Sequence, residues 1–312
     1  MGRKRLLICA IKPIIFYRRA QIMKKPVAFD FTLTLVCNNN CIFCPRNALK
    51  PIVTTPARML ETIRTGGCLE AVLTGGEPTT LKTLPSIAAA CKKSGARKIG
   101  IVTNGRTLSD AAYLETLVSA GITSFAVSVY SHLPEIHDHL TRAKGSCAQT
   151  WKGLANAARA ARGGAIETGV NLVLCAENIR AAGTTLKMLK ALGADSVTLI
   201  NLSGPSAAAN IFNYSMIPPL LRELGRGRAA YPGRIVFRGF PLCIFPEAVS
   251  AENQDIDGAG GVSRGRLLKY AGNFRREFVK PASLCRGCRK TSYCNGLASA
   301  YFERYALSGL MK

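Results

Sequence analysis

Six apolar runs recur along this chain, and most are followed by a stretch of helical periodicity. The runs lie at 27–36 (VAFDFTLTLV), 70–75 (EAVLTG), 98–104 (KIGIVTN), 124–130 (SFAVSVY), 168–174 (TGVNLVL) and 195–202 (DSVTLINL). Helical patterns fill 55–65, 81–93, 109–119, 147–161 and 178–192. Strands that alternate with helices and are apolar throughout make a parallel sheet with helices outside it. Such units build either an open doubly wound sheet or a partial barrel. In both, the side chains at the C-terminal ends of the strands form the site. The rhythm weakens after 202–210, where a helix at 217–224 and a short strand at 234–239 are expected to close the sheet. From Pro241 the character changes: 251–265 is glycine-rich and loop-like, and a short helix is expected over 297–307. This sets a boundary near 240.

The chain carries a formal net charge of +24 over 312 residues. A surface of that kind attracts polyanions such as nucleic acid or an anionic membrane. The charge is spread along the sequence, so it does not mark one compact module. Residues 1–26 form a basic extension, with Arg3, Lys4, Arg5, Arg18, Arg19, Lys24 and Lys25 around an apolar run at 6–16. Lys12 and Pro13 interrupt that run, which is far short of a spanning helix. It also lacks a small-residue cleavage site, so no secretory signal is read and a cytoplasmic location is expected. The twelve cysteines are then expected in a reducing compartment, where clustered thiols more often hold metal than form disulfides.

Three cysteines crowd the end of the first strand in CNNNCIFCPR: Cys37, Cys41 and Cys44, spaced Cys-x3-Cys-x2-Cys. A wrapped loop can aim three thiolates at one centre from these positions, and Asn38, Asn39 and Asn40 tolerate the turn conformations it needs. Thiolates suit zinc and iron–sulfur clusters. Closed sites of either kind take four ligands. Three ligands leave one metal open to an exogenous molecule, whereas a zinc site would need a distant fourth residue.

With Phe43 directly before Cys44, the loop resembles the signature of the radical S-adenosylmethionine (radical SAM) enzymes. The resemblance implies a partial (β/α)6 TIM-type barrel as the core, residues 27–240, in which the three thiolates hold three irons of a [4Fe–4S] cluster. The amino and carboxylate groups of S-adenosylmethionine would chelate the fourth iron. One electron from the cluster would then cleave the sulfonium and give a 5′-deoxyadenosyl radical that abstracts a substrate hydrogen. A reducing partner of the flavodoxin or ferredoxin type is implied as well.

Further stretches match the family in strand order. LTGGEPT at 73–79 looks like its motif for the cofactor amino group, which singles out Gly75, Gly76, Glu77 and Pro78. The glycines would allow close backbone approach, and Glu77 would accept from an ammonium. By the same resemblance Asn104 in VTNG lies beneath the cofactor and Ser128 in VSVYSH meets the ribose. HDHLTRAKGS at 137–146 resembles a stretch in which an arginine pairs with the cofactor carboxylate, here Arg142. The three histidines, His132, His137 and His139, fall in this region. A solvated loop is the plain reading for each, while His137 could instead cap the following helix or orient Arg142. Asn171 and Leu174 are candidates for the adenine region.

A second group, Cys285-x2-Cys288-x5-Cys294, follows Cys243. Four cysteines suffice for a [4Fe–4S] cluster or a tetrahedral zinc. The spacing is similar to the C-terminal auxiliary-cluster domains called SPASM and twitch, which implies such a domain over 241–312. The SPASM pattern has a further cysteine four residues on, where this chain has Ala298, so one auxiliary cluster is expected. Cys9, Cys68, Cys91, Cys147 and Cys175 read as small buried hydrophobes.

The substrate is less determined than the chemistry. Auxiliary-cluster relatives often modify a peptide or protein side chain by oxidation, which is the first expectation. Residues 1–26 are too short for the winged-helix leader-binding domain many such maturases carry. A small-molecule metabolite (nucleotide, sugar, lipid or amino acid) is the alternative, and RNA is suggested by charge alone, with no RNA-binding module recognisable. A non-catalytic zinc-binding nucleic-acid protein leaves the open loop and GGEP unexplained.

Overall fold

The computed structural model describes residues 27–44, 53–65, 68–164, 166–203, 207–225, 234–245, 278–291 and 294–310. The basic extension 1–26 and the glycine-rich stretch 251–265 lie outside them.

Seven parallel strands form one sheet: β1 Val27–Thr34, β2 Cys68–Gly75, β3 Lys98–Thr103, β4 Ser124–Ser128, β5 Glu167–Leu174, β6 Ser196–Asn201 and β7 Arg234–Arg238. They pair in chain order, β1 to β7. A doubly wound sheet reverses its order at a switch point. Sequential order with right-handed crossovers instead brings every helix to one side and curls the sheet. The fold is therefore a partial barrel, open between β1 and β7 among the described residues. The short strand expected at 234–239 closes the sheet as its seventh strand, joining β6 in full parallel register from Ser196 opposite Arg234 to Ile200 opposite Arg238.

The helices are α1 Pro56–Thr65, α2 Leu84–Lys93, α3 Ala111–Ser119, α4 Pro134–Thr141, α5 Ser146–Ala161, α6 Ala182–Leu192 and α7 Ile217–Gly225. The strand alternation shows what separates the two faces. In β5, Thr168, Val170, Leu172 and Leu174 are buried, while the intervening residues are half-buried or exposed. The buried set joins Leu186 and Leu189 of α6, Val197 and Leu199 of β6 and Phe125 of β4 in the core between sheet and helices. Truncating one such leucine to alanine costs about 2–5 kcal/mol. The opposite face of the sheet is lined by small and polar residues and opens on a cavity.

α4 was not expected. Its residues, PEIHDHLT, are polar enough to read as loop, but a proline in its first turn and burial of His137, Leu140 and Thr141 fix it as a helix. Its Asp138 caps the next helix: the backbone N–H groups of Gly145 and Cys147 and the Ser146 hydroxyl donate to the carboxylate at 2.5, 2.7 and 2.9 Å. The capping residue of this segment is thus Asp138, and not His137.

The C-terminal part adds a two-stranded antiparallel piece, β8 Phe278–Val279 and β9 Leu297–Ala298, with the short helices α8 Ala282–Cys285 and α9 Ser299–Tyr305. Tyr301 stacks on Tyr214 with ring centroids 3.8 Å apart. Its hydroxyl accepts the Tyr214 N–H at 3.3 Å, so this part docks against the segment after β6. Among the described residues, no helix is long and apolar enough to cross a membrane.

Candidate functional site

The three-cysteine loop leaves β1 at its C-terminal end and is stitched down on both sides. On one side, Gly76 N donates to Thr34 O at 2.7 Å and Glu77 N to Val36 O at 2.8 Å. A Cβ on Gly75, whose φ is +132°, would stand 2.3 Å from Thr34 O, and one on Gly76 would stand 2.1 Å from Val36 O. The close approach that GG permits is therefore made by this chain's own backbone, in the residues that deliver Cys37. On the other side, Asn40 N donates to Thr141 O at 2.9 Å and Ile42 N to Leu140 O at 3.0 Å, at the end of α4. Phe43 is buried and meets Tyr130 edge-on at 5.0 Å. The Cys41 thiol donates to the Tyr130 hydroxyl at 3.8 Å.

The asparagines do more than turn the chain. Asn104 Nδ2 donates to Asn38 Oδ1 at 2.6 Å and to Cys37 Sγ at 3.9 Å. Arg106 Nη1 donates to the Asn38 carbonyl and, at 2.8 Å, to Asn39 Oδ1. Its Nε is anchored on Gln149 Oε1 of α5 at 2.6 Å. Asn39 N in turn donates to Cys37 Sγ at 3.4 Å.

Two observations test whether an iron–sulfur cluster with S-adenosylmethionine fits this loop. Burial pushes Cys41 up to about 11; the bond to Tyr130 offsets part of this, and the neighbouring Cys44 and Cys37 add to it. A Cys41 thiolate in that setting needs a cationic partner. Asn39 Nδ2 is also buried without a hydrogen-bond partner, although its Oδ1 is fixed by Arg106. It is a donor for an acceptor that the chain does not supply. Among the described residues, no three Cys, His, Asp or Glu side chains come together as ligands of one metal ion. The buried Cys41 thiol and the unpartnered Asn39 Nδ2 donor are what the loop offers such a cluster.

The other candidates fall around this loop. Glu77 is buried, and its carboxylate is engaged by the chain. Oε1 accepts from Thr79 N at 3.1 Å, the Thr79 hydroxyl at 2.5 Å and the Thr103 hydroxyl at 2.7 Å; Oε2 accepts Asn104 N at 2.6 Å. Burial pushes its pKa up against these bonds. Pro78 opens a buried turn, Pro78–Thr80. Ser128 ends β4 opposite Asn171. Arg142 stands in a left-handed conformation, φ 50°, directly after Thr141, whose carbonyl holds the cysteine loop. Burial holds His137 down to about 4, and its Nδ1 accepts Tyr130 N at 3.4 Å. His137 is therefore a neutral packing residue, and not a solvated one. Leu174 points into the helix-side core, away from the cavity that Asn171 lines. Cys91, Cys147 and Cys175 are buried; Cys9 lies outside the described residues.

The cavity inside the sheet measures about 470 Å³. Cys44 lies on its wall with Asp30, Thr32, Asn171, Thr198 and Arg238. Among its described lining residues Arg238 is the basic side chain, while Asp30, Glu70 and Glu167 are acidic.

In the C-terminal part, burial pushes Cys243 up to about 11, with further contributions from Cys294, Cys285 and Cys288 close by. Cys294 Sγ accepts the N–H groups of Leu242 and Gly296, each at 3.4 Å. The structure thus brings this set of four into one neighbourhood.

Arg106, Tyr130 and Gln149 were not singled out from sequence. Arg106 directly follows VTNG, but nothing in spacing or periodicity says that an arginine there reaches back to the cysteine loop.

The family model described as the Radical SAM superfamily matches residues 31–197, more than half of the chain. A curated protein of Metallosphaera sedula, "Probable GTP 3′,8-cyclase", is 26% identical over 189 residues, which are 59% of this chain and 58% of that protein. The "Fe-coproporphyrin III synthase" of Methanosarcina barkeri is 28% identical over 163 residues, 50% of this chain and 39% of its own length. The chain thus spans less than two thirds of these relatives. The solved structure of Streptococcus suis SuiB bound to S-adenosylmethionine superposes with a TM-score of 0.54 at 16% identity, covering 69% of this chain and 50% of that one. At that identity the likeness speaks for the fold. A three-cysteine loop on the first strand of a parallel partial barrel, within a matched span of this length, places the chain in the radical SAM superfamily.

Proposed function

We propose that this protein is a radical SAM enzyme that acts on a polar small molecule held inside the barrel. The observation that carries the reading is the cavity of about 470 Å³ with Cys44 on its wall and polar side chains around it. That volume suits a small-molecule site, and its polar groups would orient a hydrogen-bonding ligand. Arg238 offers a fork for a carboxylate or phosphate, and Asp30 and Asn171 can accept from N–H or O–H groups. The names of both curated relatives, one for cyclising GTP and one for making a porphyrin, support a small molecule over a macromolecule.

Cys37, Cys41 and Cys44 would hold the cluster, and Gly75, Gly76, Glu77, Pro78, Asn104, Ser128 and Arg142 would line the approach of S-adenosylmethionine. When bound, this pair supplies one-electron cleavage and a carbon radical that takes hydrogen from substrate. The chain's own part is to hold: Tyr130 bonds Cys41 and packs on Phe43, and the bonds at Thr34, Val36, Leu140 and Thr141 fix the loop. Cys243, Cys285, Cys288 and Cys294 would close an auxiliary cluster in a twitch-like domain over 241–312. That group is the observation favouring a second reading, modification of a peptide side chain.

The test incubates the anaerobically reconstituted protein with dithionite and S-adenosylmethionine, adding either GTP and other nucleotides or a panel of peptides. The small-molecule reading expects 5′-deoxyadenosine to rise with a nucleotide or similar metabolite, and deuterium from labelled substrate to appear in it. A rise with peptides alone would favour the second reading. No 5′-deoxyadenosine under any condition would defeat both.

A further inference from the structure

The CO and N–H of one peptide group, between Asn38 and Asn39, face two different partners. The carbonyl accepts from Arg106 Nη1, and the N–H donates to Cys37 Sγ at 3.4 Å. These bonds form one continuous chain, from guanidinium through peptide to sulfur. A charged donor on the carbonyl polarises the peptide and strengthens the N–H at its other end. The same guanidinium nitrogen holds Asn39 Oδ1 at 2.8 Å, which commits the buried Asn39 Nδ2 to the role of unpartnered donor. Gln149 Oε1 anchors Arg106 Nε at 2.6 Å, and Asn104 Oδ1 accepts Arg106 N at 3.1 Å, so the arginine itself is held by α5 and by the end of β3.

We infer that Arg106 is a positioning residue that raises the reduction potential of the cluster held by Cys37, Cys41 and Cys44, acting through the Asn38–Asn39 peptide. Hydrogen bonds to the sulfurs of an iron–sulfur centre are among the features that set its potential. Reduction adds negative charge to the cluster and its thiolates. Donors aimed at Cys37 therefore stabilise the reduced form more than the oxidised one. Without Arg106 the peptide loses both its orientation and its polarisation, and the cluster becomes harder to reduce. The inference rests on the cluster assignment above.

The test is an EPR-monitored redox titration of the reconstituted full chain, without S-adenosylmethionine, in wild type, R106M and R106K. Iron and sulfide are counted first. The expected result is full loading with a midpoint shifted to more negative potential in R106M. R106K should lie between R106M and wild type, because one ammonium cannot satisfy Asn38, Asn39 and Gln149 together. A fully loaded R106M with the wild-type midpoint overturns the inference. Should R106M fail to load, R106K decides: a midpoint below wild type supports the inference and an equal one overturns it. A wild type that binds no iron is a different failure, since it removes the cluster assignment and the inference with it.

Discussion

The backbone amide of Asn104 donates to Oε2 of Glu77 across 2.6 Å, tying the end of β3 to the end of β2 beneath the cysteine loop. Oε1 of the same carboxylate takes the donors of Thr79 and Thr103. Glu77 is thus the knot at the C-terminal ends of two adjacent strands, with its oxygens turned into the protein.

Glu77→Gln should expose how that knot works. One amide oxygen can replace Oε1, but the NH2 group must then face the Asn104 N–H, donor against donor. The expected loss is about 1–3 kcal/mol, read as a lower denaturant midpoint at unchanged slope. A variant as stable as wild type would show that the carboxylate is not needed there.

Gly76→Ala should damage the loop through its support. The new Cβ would meet Val36 O at 2.1 Å, and Val36 O already accepts Glu77 N at 2.8 Å. Neither backbone can yield without moving Cys37. Destabilisation of about 1–3 kcal/mol or more and a drop in iron bound per chain are expected, measured by unfolding and by metal analysis. Full iron loading at wild-type stability would contradict the seating described.

His137 gives the fold a pH dependence of known sign. Burial holds the imidazole at about 4 in the folded chain, while the unfolded value is near 6.5. Between these values the unfolded chain binds a proton that the folded chain refuses. Its contribution is therefore complete above about pH 6.5 and is lost as pH falls toward 4, amounting to about 3 kcal/mol. Asp138 acts lower: burial pushes its carboxyl up, but the bonds from Cys147, Gly145 and Ser146 bring it below its ordinary value. Urea unfolding across this range should show the slope in wild type and a flatter one in His137→Gln. Parallel curves would mean that His137 is not the group responsible.

The C-terminal cysteines make a separate prediction by iron count. A cubane in each group gives about eight irons per chain, and the double variant Cys285→Ala, Cys288→Ala should keep about four. An unchanged count would show that Cys285 and Cys288 hold no iron, and zinc lost with them would mark a zinc site instead.

The strand–helix rhythm was legible because a parallel sheet buried on its helix side writes apolar runs of fixed length, and the expected runs overlap all seven strands. α4 was not legible. It is short, and its histidines and Asp138 suggest loop, because the burial that makes it a helix comes from the cysteine loop lying against its end. The spacing of Cys37, Cys41 and Cys44 announced a metal-binding loop with an open position, and the resemblance carried by Phe43 and GGEP supplied the chemistry expected of it. GGEP announced a close approach, but only the structure shows that Thr34 and Val36 make it. The bonds of Arg106 to Asn38 and Asn39 bridge residues far apart in sequence, and no local pattern encodes them.

The chemistry proposed here turns on Cys37, Cys41 and Cys44 holding a cluster that engages S-adenosylmethionine. The most direct measurement is 5′-deoxyadenosine formed by anaerobically reconstituted, dithionite-reduced protein, in wild type and in Cys41→Ala. Formation by wild type and none by the variant is the result expected of that cluster. Stoichiometric zinc without iron in the wild type, or undiminished cleavage by Cys41→Ala, would contradict it.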